Sequence, residues 1–111
     1  MLISAEIVGS KIVLHAYGRI DARTVQDFEK EFFEGIGLGK YDVIIDFFEI
    51  NYISSAGLRS LLLITKYMRG VNRKIVLCAM NENVIDVMRI TGFLPLFYIY
   101  PDLQAAIAED K

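Results

Sequence analysis

The sequence predicts an α/β fold in the order ββαβαβαβα around a mostly parallel sheet. Three observations carry this prediction. Two partly alternating apolar stretches flank a turn signal at Gly9-Ser10, short apolar strand-like runs recur along the chain, and helically spaced segments ending in glycine separate them. Strands that alternate with helices pair in parallel through right-handed crossovers.

Each element has its own warrant. Leu2 to Val8 and Lys11 to Tyr17 form the arms of an N-terminal β-hairpin. Thr24 to Phe33 sets Val25, Phe28, Phe32 and, less regularly, Phe33 at helical spacing, and Gly35, Gly37 and Gly39 then end that helix. Val43-Ile44-Ile45, between Asp42 and Asp46, reads as a central strand covered on both faces. Ser55 to Arg69 carries a stripe of Leu58, Leu61, Leu62 and Thr65, extended by Tyr67 and Met68, with Gly70 as the helix stop. Lys74 to Ala79 is a further strand, Asn83 to Ile90 a helix stopping at Gly92, and Leu96 to Tyr100 the last strand. Pro101 to Glu109 reads as the final helix, with Asp102 at its dipole-positive start.

Composition bounds the function. With 111 residues and 54% hydrophobic side chains, the chain suits one domain spanning 1–111. Fourteen acidic against twelve basic residues, with no basic run longer than Arg73-Lys74, argue against a nucleic-acid partner. Glu6 and Lys11 interrupt the apolar N-terminal stretch, and no apolar run reaches the length of a signal-peptide core or membrane span, so a cytoplasmic chain with no membrane partner is expected. The single cysteine, Cys78, lies in the run Ile75-Val76-Leu77-Cys78-Ala79 and reads as a small buried hydrophobe.

Candidate chemistry is sparse. His15 is the only imidazole and falls mid-strand, where it reads as structural or surface. Ser54-Ser55 before Ala56-Gly57 superficially resembles a nucleophile elbow, but Tyr52 and Ile53 stand where the G-x-S-x-G pattern would need a glycine. Gly35, Gly37 and Gly39 follow a helix and precede a strand, the reverse of a phosphate-cradling loop. Asp21 and Asp46 are expected at strand ends, where open α/β sheets face ligands, although solvated acids are common there. Phe93, Leu94, Leu96 and Phe97 form an apolar cluster that fits core packing better than a binding patch. No cofactor or metal site is expected.

The most informative stretch is Asn51 to Leu58. With Ser54 as N-cap, Ile53 and Leu58 occupy the two positions of a hydrophobic staple, and Ser55 becomes the first helical residue with no capping duty. Its hydroxyl is then free to point outward. A phosphate there would lie against the unpaired N–H groups and positive dipole end of the helix, so the fold would tolerate it.

The run Asp46-Phe47-Phe48-Glu49-Ile50-Asn51-Tyr52-Ile53-Ser54-Ser55-Ala56-Gly57-Leu58 resembles the signature segment of STAS domains of the anti-sigma factor antagonist type, approximately D-[LF]-S-x-[VI]-x-[YF]-[IM]-D-S-[ST]-G-L. Gly18-Arg19-Ile20-Asp21, Ile90-Thr91-Gly92-Phe93 and Ala105-Ala106 are similar to flanking patterns of that family. Three positions depart from it: Phe48 replaces a common Ser, Ser54 a common Asp, and Ala56 a common Ser or Thr.

The resemblance implies a sheet of four or five strands with helices mainly on one side. It implies an anti-sigma factor antagonist, not an enzyme: the unmodified form binds an anti-sigma factor that is also a serine kinase and frees sigma. Phosphorylation of Ser55 ends that binding, and a phosphatase resets it. Asp21, Asp46, Glu49, Ser54, Ser55, Ala56, Gly57 and Leu58 are the expected partner-binding residues. An alternative is a docking module that regulates a transporter or sensory assembly without a phosphorylation cycle. A third class, an acyl-transfer enzyme using Ser55, would need His15 as its base.

Overall fold

The computed structural model describes residues 2–37 and 39–108. β1 (Ile3–Val8) and β2 (Lys11–Ile20) form the antiparallel hairpin. Then come α1 (Val25–Ile36), β3 (Asp42–Ile53), α2 (Ser55–Gly70), β4 (Ile75–Cys78), α3 (Glu82–Ile90), a 3-10 turn (Leu94–Leu96), β5 (Tyr98–Tyr100) and α4 (Leu103–Ala108). The strands form one sheet in the order β1-β2-β3-β4-β5, parallel in every pair after the hairpin. The expected order and the mostly parallel sheet are therefore both present.

Side-chain alternation divides the core into two layers. Leu14, Ile45, Phe47 and Leu77 pack under α1, α2 and α3 through Phe28, Phe32, Leu58, Leu61, Ile64, Val84 and Met88. Val13, Ile44, Val76 and Cys78 point the other way and meet α4 through Ala106. Three helices thus cover one face, and the short α4 covers part of the other. Asp102 accepts from the Ala105 N–H at 2.8 Å and so starts α4 as its charge suggested; the expected helix end at Glu109 lies outside the described residues.

Two turns show how local chemistry shapes the chain. At the hairpin, Gly9 takes φ 63° in the first central position, the type II′ arrangement that matches strand twist. At the end of α2, Asn72 adopts φ 61°, while the N–H groups of Asn72 and Arg73 donate to the carbonyls of Arg69 and Met68 at 3.0 and 2.9 Å. That is a Schellman stop with asparagine in the left-handed position. Gly70, expected as the stop, instead belongs to the helix. Gly35, expected to end α1, likewise lies inside it, packed so closely on Leu14 that a Cβ would sit 3.0 Å from the leucine side chain.

The largest departure concerns β3. The expected strand covered Val43-Ile44-Ile45, whereas the observed one runs twelve residues, from Asp42 to Ile53. Its second half contains two register shifts against β2, between the partners of His15 and Tyr17 and of Gly18 and Arg19. Each adds one residue to β3, so the exposed pairs Phe48-Glu49 and Asn51-Tyr52 separate the buried Phe47, Ile50 and Ile53. A burial period of three matches neither the strand nor the helix template, which is why the pattern hid this half of the strand.

Candidate functional site

Ser54 ends the extended segment with φ −98° and ψ 175°, and its hydroxyl accepts the Gly57 N–H at 3.3 Å. It is therefore the N-cap of α2. Ile53 and Leu58, both buried in the main core, occupy the staple positions. Ser55 is the first helical residue, exposed, with no hydrogen-bond partner for its hydroxyl among the described residues. Ser54 and Ala56 beside it are half-buried.

The junction is held by backbone contact. The Ser54 N–H donates to the Ile20 carbonyl at 2.9 Å, tying the start of α2 to the end of β2. Gly57 lies over the same carbonyl: a Cβ added there would meet Ile20 O at 2.6 Å and Ile53 Cγ1 at 2.7 Å. Gly57 is thus the residue that lets the helix start approach the strand ends.

Asp21 follows Ile20 directly and organises the loop into α1. Its carboxylate accepts from the N–H groups of Arg23 and Thr24 at 3.0 and 3.2 Å, while its own N–H donates to Thr24 Oγ1 at 2.9 Å. This reciprocal pair resembles a capping box placed in the turn that precedes α1, with Asp first and Thr three residues on. Donation from the Arg23 N–H, and from Arg19 at 3.2 Å, outweighs burial and holds the Asp21 pKa below the usual carboxylate value. Arg19 also stacks over the Tyr52 ring, 4.3 Å from its centroid. Neither Arg19 nor Tyr52 was among the expected site residues; their register partnership across β2 and β3 brings them together.

Other expected site residues fall elsewhere. Gly57 and Leu58 are buried, so they shape the surface without presenting side chains to it. Glu49 is exposed but lies four residues before Ile53, about 13 Å along an extended strand. Asp46 was expected at a strand end and is instead mid-strand, seven residues before Ile53 and about 23 Å along β3. Its side chain also points to the opposite face of the sheet from its neighbours Ile45 and Phe47, which pack under α1, α2 and α3. Asp21 directly follows Ile20, whose carbonyl accepts the Ser54 N–H, so of the three expected acids it is the one tied to the α2 junction, whereas Asp46 and Glu49 lie further back along β3.

Asp46 has a different partner. Its carboxylate is 2.8 Å from His15 Nδ1, and Glu6 is 2.7 Å from His15 Nε2. A neutral imidazole carries one N–H, so only the charged ring satisfies both carboxylates. Burial opposes that charge, but the hydrogen bonds and negative charges of Glu6 and Asp46 outweigh it and raise the His15 pKa above 6.5. The sign follows: this contribution to stability is full below the unfolded-state value and is lost as pH rises through the higher folded value. Accordingly, the stability advantage of the native chain over His15→Gln in urea titrations should be larger at about pH 5.5 than at about pH 8.5.

The same geometry bears on acyl transfer. His15 lies on β2 five residues before Ile20 and on the α4 face of the sheet, engaged with two acids, so it is not placed to activate Ser55. Cys78 shares that face; burial, followed by the nearby charges of Asp46 and Asp102, pushes its thiol up to about 12, so it stays protonated. Among the described residues no helix is long and apolar enough to cross a membrane.

These features define an α/β domain that presents the N-terminus of one helix at its surface, with its histidine and cysteine set apart from that serine. The chain belongs to the STAS domain family, whose profile matches residues 3–106. A Bordetella bronchiseptica protein, BtrV, named as a candidate anti-sigma factor antagonist, is 31% identical over 111 residues, covering 100% of this chain and 96% of that one. The anti-sigma factor antagonist SpoIIAA in its unphosphorylated form has the same fold, with TM-score 0.76 at 19% identity over 95% of this chain and 92% of that one. The murine anion transporter Slc26a9 contains the fold too: TM-score 0.82 at 11% identity, over 92% of this chain but 18% of the transporter.

Proposed function

We propose that this chain is an anti-sigma factor antagonist acting in the cytoplasm. Its unmodified form binds an anti-sigma factor that is also a serine kinase and so releases sigma. Phosphorylation of Ser55 ends the binding, and a phosphatase restores it. The observation that carries this reading is the exposed Ser55 at the first position of α2, its hydroxyl without a capping bond, within a segment that resembles the family signature. The relative at 31% identity is named as a candidate anti-sigma factor antagonist, which supports the antagonist part of this reading. The contact surface in this reading is the α2 start with Ser54, Ser55 and Ala56, flanked by the Asp21 loop and by Arg19 on Tyr52.

A phosphate at Ser55 adds about −1.5 to −2 charges beside the orphan N–H groups of α2, which the helix end accepts, so its effect falls on the partner. Incubation with ATP and serine kinases of the anti-sigma class, followed by mass spectrometry, should place one phosphate on Ser55 and none on Ser55→Ala. Absence of modification by all such kinases would favour the second reading, a docking module without a phosphorylation cycle. The Slc26a9 likeness and the residues Ser54 and Ala56 support that alternative.

A further inference from the structure

At the end of α2 remote from Ser55, the helix, β4 and β5 enclose a cavity of about 410 Å³. Ser55 and Arg69 are fourteen residues apart, about 21 Å along the helix, so this cavity is separate from the surface described above. Its size falls within the range of small-molecule sites.

The lining has two parts. Leu77 and Leu96 supply an apolar wall, and Arg69, Arg73 and Lys74 form a basic rim beside Tyr98. No acidic side chain lines the cavity among the described residues, although acidic residues outnumber basic ones 14 to 12 in the whole chain. The two guanidinium groups at this rim favour an anion.

Two of the rim groups, Arg69 and Arg73, keep donors for a ligand. The Arg69 guanidinium has no hydrogen bond or ion pair among the described residues. Arg73 gives only its Nε–H, to the Gly39 carbonyl at 3.2 Å, which leaves the terminal nitrogens of its five-donor fork. Lys74 Nζ lies 4.8 Å from the Tyr98 ring centroid and sets that ring at the mouth. A helix C-terminus ordinarily repels anions through its bare carbonyls. Here the Schellman stop covers the Met68 and Arg69 carbonyls with the N–H groups of Arg73 and Asn72, so the guanidinium groups dominate the field at the mouth.

We propose that this cavity binds an amphipathic anion: a single carboxylate or phosphate head held by Arg69 and Arg73, with a hydrocarbon body against Leu77 and Leu96. Binding requires both parts. The head alone loses to water, and an uncharged body leaves the guanidinium groups without a partner.

The test uses the full chain, isotope-labelled for NMR, titrated with decanoate, decyl phosphate, decanol and acetate. Decanoate or decyl phosphate should shift amides of the α2 C-terminus, β4 and β5 in a saturable manner, and which binds tighter identifies the head. Decanol should bind at least about tenfold more weakly, and acetate should not saturate. Arg69 is exposed, so Arg69→Glu should fold normally and weaken the anion at least about tenfold. Equal binding of decanol, indifference to Arg69→Glu, or shifts outside this region would overturn the proposal. Co-sedimentation with phosphatidylglycerol vesicles, with no response to either free anion, would assign the basic rim to a membrane surface and overturn it equally.

Discussion

Gly57→Ala should destabilise the fold by about 2 kcal/mol, seen as a lower urea midpoint at unchanged slope. The added methyl would sit 2.6 Å from the Ile20 carbonyl oxygen and 2.7 Å from Ile53 Cγ1, distances that Cβ atoms do not adopt. Relief by lifting the helix start would stretch the Ser54 N–H bond to that same Ile20 carbonyl, now 2.9 Å, and unseat Leu58 from the core. Overpacking of this kind costs up to about 3 kcal/mol, against which alanine's better helix propensity returns about 1 kcal/mol. Gly57→Val should cost more, since it adds bulk and loses that return. Gly70→Ala is the internal control: nothing lies within 4 Å of a Cβ there, so the same substitution in the same helix should stabilise by up to about 1 kcal/mol. An unchanged midpoint in Gly57→Ala would mean that the junction is not clamped as described.

Ser55→Glu should weaken binding to the anti-sigma factor by about 10- to 100-fold while leaving the fold as stable as before. Its two halves have different causes. At the first position of α2 a carboxylate faces the positive dipole end and unpaired N–H groups, and no acid precedes it in the first turn, so stability holds or rises slightly. At an interface the same charge must be desolvated and adds to the negative charge of Asp21 in the adjoining loop. Ser55→Ala should bind as the native chain does. Isothermal titration beside urea unfolding separates the effects; equal affinity of Ser55→Ala and Ser55→Glu would remove Ser55 from the proposed switch. Asp21 is the acid that adjoins this surface, because Asp46 is engaged with His15 and Glu49 lies further back on β3.

Much of this architecture was readable before any coordinates. The hairpin at Gly9-Ser10, the alternation of strands and helices, the Ser54 cap and the Ile53–Leu58 staple depend on contacts within a few residues, and local chemistry dictates those. The helix ends show the limit of such reading. Gly35 and Gly70 read as stops because glycine suits a left-handed turn, yet one is a close-packing residue and the other an ordinary helical one, and Asn72 makes the turn after α2.

The second half of β3 and the composition of the site were decided only by tertiary structure. Two bulges against β2 replace the period of two with exposed pairs, a signal that needs the partner strand to be intelligible. The same pairing sends Asp46 to the far face beside His15, joins Arg19 to Tyr52, and brings the Ile20 carbonyl under Gly57. What the sequence alone determined is that a serine begins α2 behind a capping serine. Which acids, cations and backbone groups surround it follows from strand register, a long-range property that shifts every side chain to the other face when it slips by one residue.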